Sequence, residues 1–227
     1  MRPASEAGPA VRDAATVILL RRDPDAARVL MGQRGGSAAF MPDKFVFPGG
    51  AVDPEDGMLP GGSALDPLTE RRLGVGTPPG LVASLARAAV RELWEETGLM
   101  LGRADPAAAG RTVPQSWRGF YANGLVPHTA ALRFVFRAIT PRGRPRRFDA
   151  RFFLVEAGDV AGDSLAPSGD ELSRLQWLTL AEARALPLPF ITEVVLSEVE
   201  ALVADPDPAR PVPFFHQAPE GLRFSLL

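Results

Sequence analysis

The clearest periodicity in the chain lies between Leu81 and Thr97. At 100° per residue Val82, Ala86, Ala89, Val90, Leu93 and Thr97 fall on one side, while Glu92, Glu95 and Glu96 fall largely opposite. This spacing predicts a helix that opens near Pro79, where a first-turn proline costs nothing because its missing N–H has no helical partner. Gly98, as the C′ residue, would end it. Ala14 to Leu20 reads as a buried strand, and Arg28 to Arg34 alternates well enough to be its hairpin partner across the turn Asp23-Pro24-Asp25. Phe45-Val46-Phe47 is a short strand stopped by Pro48-Gly49-Gly50. Ala130 to Ile139 and Ala150 to Glu156 read as strands on either side of a basic loop, and Arg174 to Leu178 as a further one. Thr179 caps a short helix through Ala185, Ile191 to Val203 has helical spacing, and Val212 to Phe215 and Leu222 to Leu226 are expected to pack back on the body.

Composition shifts divide this pattern. Residues 1–10 read as a tail and 11–227 as a single domain, interrupted by a Pro/Gly/Asp-rich insertion at about 53–79 with a short helix around Leu65 to Leu73. A second segment, about 103–125, is irregular or short-helical, and such insertions usually cover a site or fill an interface. Strands mixed with a few separated helices predict an α/β or α+β sandwich.

The chain has 227 residues, a hydrophobic fraction of 46% and a formal net charge of −2, which suits a soluble globular protein with a sizeable core. Near-neutral charge supplies no general basic field, so long nucleic acid is not an expected partner. Lys44 is the only lysine, and basic charge held almost wholly on guanidinium groups suits bidentate phosphate recognition. With no cysteine there is no disulfide, thiolate metal site or cysteine nucleophile, and the chain is compatible with the reducing cytoplasm. Ala14 to Leu20 is too short to span a membrane, and no membrane association is expected.

The chemistry concentrates at the end of the long helix. Glu92, Glu95 and Glu96, spaced i, i+3 and i+4, repel one another by roughly 0.2–0.5 kcal/mol per pair, and Glu95 and Glu96 sit in a last turn that disfavours anions. A divalent cation would remove both penalties, and an oxygen donor set suits Mg²⁺ or Mn²⁺. Without a ligand, the same glutamates would form a solvated acidic face. Arg91 can reach Glu95 one turn on and orient it, a structural role. Gly49 and Gly50 follow a strand and, lacking a Cβ, let the backbone approach a ligand closely.

These residues resemble the Nudix hydrolases, whose box reads G-x5-E-x7-R-E-U-x-E-E-x-G-U, with U apolar. The second half is present as Arg91-Glu92-Leu93-Trp94-Glu95-Glu96-Thr97-Gly98-Leu99, and Gly50 matches the opening glycine. The distance between Gly50 and Arg91 is too long for an uninterrupted box. Eight residues before Arg91, where its first glutamate is expected, stands Ala83, so that position is missing or supplied from elsewhere, with Asp53 and Glu55 as candidates. A split box is similar to the branch that contains the mammalian peroxisomal coenzyme A diphosphatase, as are the approach Phe40 to Asp53 and the stretch Arg146-Arg147-Phe148-Asp149-Ala150-Arg151-Phe152-Phe153.

The resemblance implies an α/β/α sandwich with a mixed sheet and a loop-helix-loop site. It implies Mg²⁺ or Mn²⁺ held by Glu92, Glu95, Glu96 and the carbonyl near Gly50. It also implies hydrolysis of a nucleoside diphosphate linked to another moiety, with coenzyme A or an acyl-CoA as first candidate. ADP-ribose, NADH, nucleotide sugars, or binding without turnover are the alternatives. Glu95 is the first candidate for the base and Glu171 the second, with Glu92 and Glu96 in the same coupled group. Arg34, Arg144, Arg146 and Arg147, with Gly49 and Gly50, are candidates for substrate phosphates. Phe40, Phe45 and Phe148 could stack on adenine or fill the core. His128 and His216 stand outside any motif. Family members are often dimers, and the inserted segments offer surface for a homodimer.

Overall fold

The computed structural model describes residues 9–36, 41–162, 165, 172–218 and 220–227. Its centre is the strand β1 (Val11–Arg22), buried on both faces as its apolar run predicts: Ala15, Val17 and Leu19 face one core, Ile18 and Leu20 the other. β8 (Arg147–Glu156) runs parallel to β1 over ten residues, from Val11 opposite Arg147 to Leu20 opposite Glu156. The other edge of β1 is shared. Its end pairs with the hairpin strand β2 (Ala27–Arg34), and its beginning with β4 (Gly49–Ala51), so that Gly49 lies opposite Thr16 and Gly50 opposite Ala15. β3 (Phe45–Val46) and β9 (Leu172–Thr179) flank β2, while β7 (Arg133–Ile139), β10 (Pro213–Ala218) and β11 (Gly221–Leu226) extend the sheet beyond β8. Parallel and antiparallel pairs in one sheet, with helices on both faces, give the expected mixed-sheet sandwich.

One face is covered by α5 (Phe190–Ala204), whose Thr192, Val195, Leu196, Val199 and Leu202 keep the i, i+3, i+4, i+7 rhythm of a buried stripe. The capping box of Thr179 and Glu182 opens the short α4 (Leu180–Arg184) beside it. The other face is covered by α2 (Leu81–Thr97), closed by Gly98 in the left-handed conformation with its N–H bonded to Trp94 O. Each fully buried leucine or valine here contributes roughly 1.5–3 kcal/mol. No helix among the described residues is long and apolar enough to cross a membrane.

Both insertions acquire structure by packing on α2 or the sheet. The first contains a 3-10 turn (Pro54–Met58) and α1 (Pro67–Leu73), capped by Asp66 and tied through Arg72 to the carbonyls of Pro208 and Ala209. The second is bracketed by β5 (Gly102–Ala104) and β6 (Leu125–Pro127), with α3 (Arg118–Ala122) between them. Three expectations are corrected. Gly49 and Gly50 do not simply stop a strand but form one against β1. Residues Thr129–Ala131 make a 3-10 turn before β7 begins. β10 packs against β7 through Phe215, but β11 extends the sheet and leaves Leu222, Phe224 and Leu226 exposed, because nothing among the described residues covers that face.

Candidate active site

The site is built around Arg91. Its guanidinium is buried, and all five of its donors are used. Nε and Nη2 grip the two oxygens of Asp56 at 2.9 and 3.0 Å, Nη2 also reaches Ala51 O at 3.0 Å, and Nη1 is shared between Glu92 Oε1 and Glu95 Oε2, each at 2.9 Å. Sharing one nitrogen brings the Glu92 and Glu95 carboxylates side by side. Burial works against the guanidinium charge, but Asp56, Glu92 and Glu95 outweigh it and hold Arg91 above its ordinary pKa. Burial raises the Glu95 carboxyl, and Arg91 opposes that rise.

Asp56 is fully buried and its four lone-pair positions are filled. Oδ1 accepts from Arg91 Nε and Trp117 Nε1, and Oδ2 from Arg91 Nη2 and the Asp53 backbone N–H. Asp53 instead caps the 3-10 turn through Glu55 N, and Glu55 accepts from Ser116, so neither takes the place of a box glutamate.

β4 delivers the backbone to the same place. The Gly49 N–H donates to Glu96 Oε2 at 2.7 Å. A Cβ on Gly50 would stand 2.5 Å from Glu92 Oε1 and 2.6 Å from Oε2, so only glycine lets that carboxylate lie against the strand. Glu92 and Glu96 are buried and Glu95 is half-buried, which rules out a solvated acidic face. Glu92 and Glu96 lie against the Gly49–Ala51 strand, while the 103–125 segment meets α2 at Trp94, whose ring stands edge-to-face to Phe120 at 5.7 Å. Among the described residues no three carboxylate or histidine side chains stand in metal-binding geometry. The donor chemistry nevertheless fits a hard cation: carboxylate oxygens packed against a carbonyl-bearing glycine strand, with no sulfur or imidazole.

Other predicted residues are placed elsewhere. Arg147 opens β8 opposite Val11, four positions from the Ala15 that faces Gly50, about 13 Å along the strand. Its Nε donates to Thr140 O within its own hairpin, and Arg144 and Arg146 are exposed in the turn before it. The structure therefore does not gather these three arginines with the glutamates. Arg34 ends β2 opposite Leu172, which with Leu165, Ser173, Arg174 and Leu175 lines a cavity of about 220 Å³. Phe45 belongs to the α5-side core, and His216 stacks on Phe214. Glu171 and Phe40 lie outside the described residues.

No protein-family model matches the chain. A solved NUDIX hydrolase from Alicyclobacillus acidocaldarius superposes with a TM-score of 0.64 at 28% identity, covering 87% of this chain and 93% of that one. The Caenorhabditis elegans protein "Putative nudix hydrolase 7" is 30% identical over 208 residues, 83% of this chain and 61% of its own length. In sequence and fold the chain is similar to the Nudix hydrolases. It spans about three-fifths of that curated relative. The NUDIX domain of Shewanella oneidensis NrtR, solved with ADP ribose, shares the fold at a TM-score of 0.51 and 14% identity.

This likeness makes the position of Asp56 intelligible. Counted forward from Gly50, G-x5-E ends on residue 56, so aspartate stands where the Nudix box has its first glutamate. The insertion falls after that residue, and counting backward from Arg91 led to Ala83, which lies in α2. The signal for Asp56 was present in the glycine spacing, and Arg91 confirms it by a two-point grip.

Proposed function

We propose that the protein is a Mg²⁺- or Mn²⁺-dependent diphosphohydrolase that cleaves a nucleoside diphosphate linked to a second moiety. The observation that carries this reading is the buried cluster of Glu92, Glu95 and Glu96, organised by Arg91 and set against Gly49 and Gly50. Glu92, Glu95, Glu96 and the Gly50 carbonyl would hold the cation, which when bound neutralises phosphate charge and makes a water more acidic. The half-buried Glu95, its carboxyl raised by burial, is the candidate to take the proton of the attacking water. Water adds to one phosphorus, the bridging P–O bond breaks, and two phosphomonoesters leave. Arg91 keeps Glu92 and Glu95 in place throughout, and the closely packed backbone of β4 positions the scissile group.

Coenzyme A or an acyl-CoA is the first substrate candidate, giving 3′,5′-ADP and an (acyl-)4′-phosphopantetheine. The extended resemblance across Phe40 to Asp53 and Arg146 to Phe153 supports it. So does the cavity next to Arg34, where Leu165, Leu172 and Leu175 would meet an uncharged substituent and Arg174 a phosphate. The test is turnover of CoA, 3′-dephospho-CoA, ADP-ribose, NADH and nucleotide sugars with Mg²⁺. CoA is expected to be preferred, and Arg146→Ala with Arg147→Ala to raise KM several-fold more for CoA than for 3′-dephospho-CoA. Equal effects on both would remove the 3′-phosphate contact; preference for ADP-ribose would move the assignment to that substrate. No turnover, with Glu96→Gln binding nucleotides as well as wild type, would mark a binding module. A cytoplasmic site of action belongs to the same reading and is supported by the lack of cysteine.

A homodimer is part of this proposal. On β11, Leu222, Phe224 and Leu226 share one exposed face, and no described strand pairs with its outer edge. A second copy lying antiparallel across Phe224 would oppose Leu222 to Leu226 and Arg223 to Ser225, a self-complementary contact. Sedimentation equilibrium of wild type and Phe224→Glu is expected to show a dimer and a monomer respectively; two identical masses would exclude this edge.

A further inference from the structure

The second insertion does more than cover α2. Three contacts join it to the turn that carries Asp56: Ser116 N and Oγ donate to Glu55 Oε2, Trp117 Nε1 donates to Asp56 Oδ1 at 3.2 Å, and Tyr121 OH donates to Pro60 O at 2.8 Å. The partners are 61 residues apart in each case, so residues 116–121 run alongside residues 55–60 in register. Trp117 is fully buried. Its ring meets Phe120 edge-to-face at 5.5 Å, Phe120 meets Trp94 of α2, and Gly119 lets the chain lie against the Trp94 ring, where a Cβ would come within 2.8 Å. Trp117 thus touches the site from two directions: its N–H on the carboxylate that holds Arg91, and its ring, through Phe120, on the helix that bears the glutamates.

We infer that Trp117 is a positioning residue for the carboxylate cluster, acting through Asp56 and Arg91, and that the 103–125 insertion is a working part of the site. This rests on the diphosphohydrolase reading for its effect on turnover but not for its effect on Arg91. Asp56 Oδ1 has two donors, and without the indole N–H only Arg91 Nε remains on it. The carboxylate is then held by Arg91 and the Asp53 N–H alone, with no donor from the insertion to fix how it sits. Because Arg91 is a rigid planar fork, any turn of Asp56 at one edge moves Nη1 at the other, and with it Glu92 and Glu95. A bulky buried residue with no such role would support the fold alone.

Trp117→Phe removes the donor and retains an aromatic ring. On whichever diphosphate the wild type hydrolyses, kcat is expected to fall about tenfold with KM within about threefold. Mn²⁺ affinity, read by calorimetry without substrate, is expected to fall with it. Phe136→Leu, in the opposite core against Phe152, serves as a control with comparable loss of Tm and should alter neither quantity. Should Trp117→Phe fail to fold, Trp117→3-benzothienylalanine, in which sulfur replaces the N–H, keeps the ring volume. The readout independent of any substrate is the NMR resonance of the Arg91 Nε–H, expected to exchange slowly in wild type and Phe136→Leu and to shift and exchange faster when the indole donor is gone. An unchanged Arg91 resonance, or unchanged kcat in an active enzyme, overturns the inference. An inactive wild type whose Arg91 resonance still responds overturns only the functional reading.

Discussion

Asp56→Ala is expected to lower stability by about 3–5 kcal/mol, the usual cost of removing one partner of a buried ion pair, and Tm by roughly 6–20 °C for a chain of this size. The carboxylate is fully buried and receives four donors, so alanine strands the Arg91 Nε–H, half the contacts of Nη2, the Trp117 N–H and the Asp53 N–H together. Arg91 would keep Glu92, Glu95 and Ala51 O, which cannot satisfy its remaining donors from where they stand. Activity should fall as well, because the guanidinium loses the anchor that aims it at the glutamates. Asp56→Asn should be intermediate in Tm: it keeps the volume but turns an amide nitrogen towards groups that are all donors. Thermal unfolding of the two variants checks the order. A loss below about 1 kcal/mol in Asp56→Ala would mean that Glu92 and Glu95 alone hold Arg91.

What could be read in the sequence is what repeats locally. The 3.6-residue rhythm of 81–97, the apolar run of 14–20 and the Thr179 cap each reappear within a few residues of their expected positions, because burial, on one face of the helix and on both faces of the strand, shapes the local pattern. The i, i+4 contact of Arg91 with Glu95 was equally local and is present. What could not be read depends on contacts between distant segments. Glu92 and Glu96 are buried where they lie against Gly50 and Gly49 of β4, and no periodicity in the helix announces that strand. Trp117 has no local pattern at all; its role appears only when residues 116–121 lie beside 55–60. Buried charges in strands were similarly hidden. Arg137, Asp149 and Arg151 interrupt apolar strands yet are buried, because Arg137 grips Asp149 with two donors and Arg151 joins Asp149 to Asp13. Their strands read as strands, but the pairing that makes them tolerable spans β1, β7 and β8.

Glu96→Gln is expected to separate stability from activity, with kcat falling about 10²–10⁴-fold, the range for removing a group that handles a reaction's proton or charge, while Tm stays the same or rises. Glu96 is buried, one turn after Glu92 and in the last turn of α2, so it meets a like charge at i−4 and the unfavourable end of the helix dipole. Glutamine relieves both, by up to about 1 kcal/mol, and its carbonyl can still accept the Gly49 N–H that Glu96 Oε2 now receives. A residue kept for stability would not be placed there. On the proposed function it would be, since a charge that serves a cation and a phosphoanhydride is useful only when something positive arrives. The contrast with Asp56 is the sharper test: Asp56→Ala should lose Tm and activity together, Glu96→Gln activity alone. Calorimetry with Mn²⁺ and kcat on the preferred diphosphate measure the second half of that contrast. If Glu96→Gln instead loses several degrees in Tm while turning over normally, Glu96 is a strut between α2 and β4, and the cation must be sought on Glu92 and Glu95.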